Sequence, residues 1–278
     1  AVISDAFVVV VVGGLGSIPG AFLAALLIAE VKAFCIGLGF SKATLVIEFI
    51  VMAAVLVFRP WGLLGQAQAA ARNPGMTESP LEFPGKKMLG GGAALLAVLA
   101  LVPLASPGYT LVLLTDILVF ALFAVSLHFI TGPAGLYSFG HAAYFGLGAY
   151  AAGVLVIKKV TSMELALALA PLAAGLGALV FGWFCVRLSG VYSAMLTLAF
   201  AQIAWSAAFQ WDALTGGSNG IVGIWPAPWL ASKTAYYFLT LLFCALGISF
   251  LWRAIYSPFG YALRAGRDSP LRADAIGI

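Results

Sequence analysis

The sequence predicts an all-α protein, a polytopic transmembrane helical bundle of about eight membrane segments, some broken or re-entrant at glycines. Three observations carry this. Of 278 residues, 63% are hydrophobic and only 9% charged, with a mean hydropathy of +1.08, whereas a soluble domain is about a quarter charged. Apolar runs near the roughly 20-residue length that spans a bilayer follow one another down the chain. These runs do not alternate polar and apolar residues, which argues against a transmembrane barrel. Polar residues are also too few to give soluble helices their outer faces.

The first segment covers residues 6–30 and is interrupted by Gly13-Gly14-Leu15-Gly16-Ser17-Ile18-Pro19-Gly20. Such a stretch cannot stay regularly helical, and irregular backbone at membrane depth is tolerated only inside protein or along a cavity. The second segment, 44–58, ends at Arg59-Pro60-Trp61-Gly62. Residues 59–87 then hold Arg72-Asn73-Pro74-Gly75 and Phe83-Pro84-Gly85-Lys86-Lys87. Proline, glycine and charge favour an extended connection, so the chain divides into a unit at 1–64, a linker at 65–87 and a second unit at 88–278. Further spans follow at 88–106, 111–130, 137–157, 164–187, 190–210 and 236–256. A loop at 211–233 carries Thr215-Gly216-Gly217-Ser218-Asn219-Gly220. In the polar tail, 257–278, Asp268 is the expected N-cap of a short helix at 270–276, with Pro270 in its first turn and Gly277 closing it.

Lysine and arginine set the orientation. With the linker in the cytoplasm, that side receives Arg59, Arg72, Lys86, Lys87, Arg187, Arg253, Arg264, Arg267 and Arg272. The other side receives Lys32, Lys42, Lys158, Lys159 and Lys233. The bias has the expected sign, and a net charge of +4 reflects basic loops rather than nucleic-acid binding. Cys35, Cys185 and Cys244 have no metal or redox spacing and read as small core residues.

The segment 135–150 combines four glycines with Ser138 and His141 in an otherwise apolar run. Glycine weakens a helix and lets backbones approach, and a polar side chain in hydrocarbon marks a functional position. This places 135–150 inside a bundle, near something polar that moves through it. Glu30, Glu48, Asp116, His128 and His141 also fall in or beside apolar spans. They could relay protons, or each could bond a neighbouring helix, a common form of glue in such bundles. For His141, substrate contact and a structural hydrogen bond both stand. Asp116 and His128 share one helix but lie about 120° apart in azimuth and about 18 Å apart in rise, so they cannot pair directly. No catalytic constellation or metal-ligand cluster emerges. The 13–17 glycine run lacks the lysine of a phosphate-binding loop, and no ATP-binding motif is present.

As a set, several motifs resemble a known family, the paired permeases of bacterial ABC importers for branched-chain amino acids. The run from Ala6-Phe7 to Gly20-Ala21 is similar to the late part of the first permease, and Phe58-Arg59-Pro60-Trp61-Gly62-Leu63 to its C-terminal end. The 135–150 segment resembles the second permease's Gly-His-Ala-Ala block. Arg187-Leu188-Ser189-Gly190-Val191-Tyr192, Leu196-Thr197-Leu198-Ala199-Phe200-Ala201 and the Thr215–Gly220 run resemble its next blocks. Residues 264–277 resemble its cytoplasmic coupling segment. Two departures stand out: Gly132-Pro133-Ala134-Gly135 leads into the central motif, and Asp274 replaces the usual glutamate between Ala273 and Ala275.

The resemblance implies a non-enzymatic permease in the bacterial inner membrane, without a cofactor of its own. Its implied partners are two cytoplasmic ATP-binding subunits that use the ATP, a periplasmic substrate-binding protein and a second permease domain. It implies that Arg264, Arg267, Asp268, Ala273, Asp274, Ala275 and Gly277 couple to the ATPases. It makes Ser138, Gly140, His141, Thr215, Gly216, Gly217, Ser218 and Asn219 candidates for the path or gate. On this reading the chain is a fusion of two permeases or a piece of one, and further spans are expected on both sides. Urea, short amides or other amino acids are alternative cargoes. An ion-coupled transporter using Glu48, Asp116 and the histidines would need an inverted repeat of spans, and none is evident.

Overall fold

The computed structural model describes residues 2–66, 85–105, 108–188 and 190–277. Most of the expected linker, 67–84, lies outside the described residues. Among those described, every regular element is helical: α1 (Val2–Gly13), α2 (Ile18–Gly37), α3 (Thr44–Phe58), α4 (Lys86–Ala105), α5 (Gly108–Thr131), α6 (His141–Ile157), α7 (Met163–Cys185), α8 (Val191–Gln210), α9 (Asp212–Thr215), α10 (Lys233–Ile255), α11 (Pro258–Asp268) and α12 (Pro270–Ala275). Six of these are long and apolar enough to cross a membrane, α2, α4, α5, α7, α8 and α10, while α3 and α6 are shorter apolar helices. The chain is an all-α polytopic bundle, as its composition requires.

The helices form two compact units: Ala1–Arg72 with Leu136–Ile224, and Asn73–Gly135 with Trp225–Ile278. In the first, α1 and α2 meet at glycines. A Cβ on Gly20 would land on the Gly13 carbonyl oxygen, so only glycine permits this approach. The expected break falls at 14–17, where Ser17 caps α2 by accepting from the Gly20 N–H (3.1 Å). The end of α1 is closed by the segment after α3: the Leu63 and Leu64 N–H groups donate to the Val12 and Gly13 carbonyls (2.8 and 3.1 Å). Val8, Val12, Met52, Leu56, Leu196 and Ala199 form the buried core. The most enclosed span is α8, with 39% of its apolar stretch buried.

The first expected segment, 6–30, is two helices, and α2 runs on to Gly37. Charge suggested an earlier stop. Lys32, however, lies 2.5 Å from buried Glu48 of α3 and 3.6 Å from Asp5 of α1. The ion pair lets a lysine remain within the span. A second pair, Lys42 with Asp212 (3.4 Å), is exposed.

In the second unit α5 packs on α10 through Leu111, Leu118, Tyr237, Leu241 and Cys244. The Tyr237 hydroxyl donates to the Leu99 carbonyl of α4 (2.8 Å), and the Cys244 thiol points at the Leu118 carbonyl (3.5 Å). The tail holds two helices where the sequence reading expected one. Asp268 is the last residue of α11, so the cap of the final helix is Ser269. The overlooked signal is a repeated Ser-Pro pair. Ser257-Pro258 opens α11, the Ser257 hydroxyl accepting from the Gly260 N–H (3.4 Å), and Ser269-Pro270 opens α12. Gly277, at φ +79°, closes the last turn.

Candidate functional site

Residues 136–140 lead into α6, and their geometry is set by α8. The Phe139 N–H donates to the Thr197 hydroxyl (3.1 Å), which itself donates to the Ala194 carbonyl (2.6 Å). A Cβ on Gly140 would land on the Thr197 carbonyl oxygen, so glycine allows the backbones to touch. The Ser138 hydroxyl is buried without a hydrogen-bond partner among the described residues. His141, half-buried, meets Tyr144 edge-on (6.2 Å), and aromatic contacts continue through Phe181 to Phe200, which stack at 4.9 Å.

Along α6 and α8 runs a cavity of about 930 Å³. Phe139, Ala143, Gly146 and Tyr150 line one side, and Gln202 and Trp205 another. Thr215 and Gly217 also line it. Its wall is mostly alanine, leucine and aromatic carbon, with Tyr150 and Gln202 as its polar points. Ser138, Gly140 and His141 are not among the lining residues; the structure places them at the junction of the 136–140 segment with α6. The 215–219 turn divides similarly. The Thr215 hydroxyl is directed at the Ala208 and Trp211 carbonyls (2.5 and 2.8 Å), and the Gly217 N–H donates back to it (3.4 Å). Gly216 (φ +76°) makes the turn, whereas Ser218 and Asn219 are exposed. The sequence reading missed Gln202. Its signal was an amide in the middle of an apolar span.

In the second unit a smaller cavity, about 230 Å³, is lined by Val112, Thr115, Asp116, Leu230, Lys233 and Tyr236. Asp116 is exposed, without a partner among the described residues. His128, exposed on the same helix, sets its ring beside Gly132. In the tail, Asp274 and Ala275 are exposed and Ala273 is buried. Arg264 is half-buried. The Arg267 side chain turns inward: its Nη1 donates to the Gly132 carbonyl (2.9 Å), and Asp268 Oδ1 accepts from its Nε (2.9 Å). No group of three or more metal-ligating side chains occurs among the described residues.

Residues 109–278 match the family described as branched-chain amino acid transport system / permease component. The chain is 25% identical over 189 residues to the high-affinity branched-chain amino acid transport system permease protein LivM of Escherichia coli K12, covering 58% of this chain and 44% of that protein. The LivM protein of Salmonella typhimurium is 23% identical over 192 residues, 59% of this chain and 45% of that protein. The BraD permease protein of Pseudomonas aeruginosa matches over 63 residues at 41% identity, covering 23% and 20%. The chain thus spans less than half the length of these curated relatives. No solved structure matches it.

Proposed function

The chain belongs to the branched-chain amino acid transport system permease component family, and from that premise we propose that it forms part of the membrane path of an ATP-driven importer of branched-chain amino acids in a bacterial inner membrane. ATP is hydrolysed by two cytoplasmic partner subunits. A periplasmic binding protein delivers the cargo, and a second permease domain completes the path. The tail from Arg264 to Gly277 receives the ATPases, with Asp274 and Ala275 on its accessible surface. Residues 1–64 supply one permease part and 88–278 the other, joined by the 65–87 linker.

The observation that carries this reading is the 930 Å³ cavity along α6 and α8. A path for a zwitterion with a hydrocarbon side chain needs apolar walls and a few neutral polar points, and carries few fixed charges. Tyr150 and Gln202 provide the polar points. Phe139 and Gly140 hold the start of α6 against α8, Ser138 and His141 stand beside that junction, and the 215–219 turn forms the gate at the far end.

Gly146 offers a direct test, because it lines the cavity and nothing stands within 4 Å of where its Cβ would be. A phenylalanine there starts from a Cβ that meets no neighbour and adds its ring to the lining of the cavity. In liposomes holding the complete transporter, Gly146→Phe is expected to cut leucine uptake by about tenfold, a loss of roughly 1.4 kcal/mol in transition-state terms, while the complex still assembles. Uptake equal to wild type would remove this cavity from the path.

A further inference from the structure

Arg267, a cation of the tail, holds a backbone carbonyl from outside its own helix. It lies in the last turn of α11, and its Nη1 donates to the Gly132 carbonyl at 2.9 Å. Gly132 is the first residue beyond α5, and its own N–H donates to the His128 carbonyl (2.8 Å). Carbonyls at a helix C-terminus carry partial negative charge and favour a cation. Asp268 Oδ1 accepts from both Nε and Nη2 (2.9 and 2.8 Å), which aims the guanidinium. The aliphatic stem covers Gly135, at φ +67°, so closely that any Cβ there would overlap Arg267 Cγ. One side chain therefore grips both ends of the 132–135 turn. Only 22% of it is exposed. On the same helix Phe259 and Tyr261 are 60% and 48% exposed.

We infer that Arg267 is a positioning residue for transport: it transmits displacement of α11 to the 132–135 turn, and so along the chain to the segment that opens α6. The inference rests on the reading that ATP-binding subunits act on this tail. It assigns α11 two jobs. Its exposed residues, Phe259 and Tyr261 among them, are where force is applied, and Arg267 is where force leaves. A lysine could keep one donor for Gly132, but not the planar fork that bonds Gly132 and Asp268 together. Gly135 is as much a part of the device as the arginine, since any side chain there lifts the stem off the turn.

The test uses the complete transporter in liposomes, with ATP hydrolysed per leucine imported as the readout. For Arg267→Ala this ratio is expected to rise by about tenfold, with hydrolysis and the yield of complex each within about twofold of wild type. Gly135→Ala should move the ratio in the same direction, and Arg267→Lys should fall between wild type and alanine. A residue with only a structural role would lower yield or thermal stability and leave the ratio alone. An unchanged ratio in both Arg267→Ala and Gly135→Ala overturns the inference. If Arg267→Ala fails to assemble, Arg267→Lys and Gly135→Ala decide it by the same criterion. If the wild-type transporter imports nothing on ATP, the functional reading itself fails and the inference falls with it. Wild-type coupling with unaltered variants leaves the functional reading standing and refutes Arg267 alone.

Discussion

The two units are held together by different means. In the unit built from α1–α3 and α6–α9, backbones touch where glycine leaves no side chain between them, as at Gly13 and Gly20 or at Gly140 and Thr197. An ion pair of a buried Glu48 with a partly buried Lys32 joins α2 to α3. In the unit built from α4, α5 and α10–α12, single side chains reach for carbonyls: Tyr237 for Leu99, Arg267 for Gly132. A backbone contact cannot be relaxed by a rotamer change, whereas a side-chain bond can be broken and remade on its own. The first unit is thus expected to hold its shape at these crossings, and the second to yield where such a bond ties it.

Substitutions can break that contrast, beginning with the largest effect. Gly20→Leu places a branched side chain on the Gly13 carbonyl and should abolish folding of the first unit, leaving no monodisperse peak in detergent. Gly37→Leu, with nothing within 4 Å of its Cβ, serves as the tolerated control. Equal behaviour of the two would show that the glycine crossing does not close the unit. Next, Glu48→Ala leaves Lys32 only Asp5, at 3.6 Å, and should cost about 1–3 kcal/mol, the usual penalty for removing one partner of a largely buried polar pair. Asp212→Asn, at the exposed pair, should cost about 0–1 kcal/mol. Unfolding in mixed micelles measures both, and similar costs would erase the distinction between the pairs. The smallest effect belongs to the second unit. Tyr237→Phe removes one hydroxyl and should cost about 0.5–1.5 kcal/mol, with faster amide exchange in α4 but not in α2. Faster exchange in both would mean that the second unit does not yield locally.

Much of this architecture was legible in the sequence, because the bilayer imposes a length and a polarity that a run of residues either meets or does not. The spans and the break before Ser17 follow from that. What could not be read depends on contacts between distant residues. Lys32 looked like the end of a span because Glu48, which neutralises it, lies in another helix. Arg267 was placed in the coupling segment, but its hold on Gly132 could not be read because its acceptor is a backbone carbonyl, and carbonyls are the same at every position in a sequence. The cavity was half visible: the glycines of α6 marked the right helix, but Ser138 and His141 drew notice while Gln202 did not. Polar residues stand out in a sequence by rarity, and rarity does not say which way a side chain faces.

The Lys32–Glu48 pair also bears on how the protein is made. A lone lysine or carboxylate near the middle of a helix costs about 2.5–3.5 kcal/mol on entering the bilayer. Here the two charges reside on consecutive helices, with only residues 38–43 between α2 and α3. Each helix carries a counter-ion for the other, and Asp5 of α1 lies 3.6 Å from the same lysine. The pair lowers the cost of burying either charge once α2 and α3 lie side by side, which favours their entry into the lipid as a hairpin over entry one at a time.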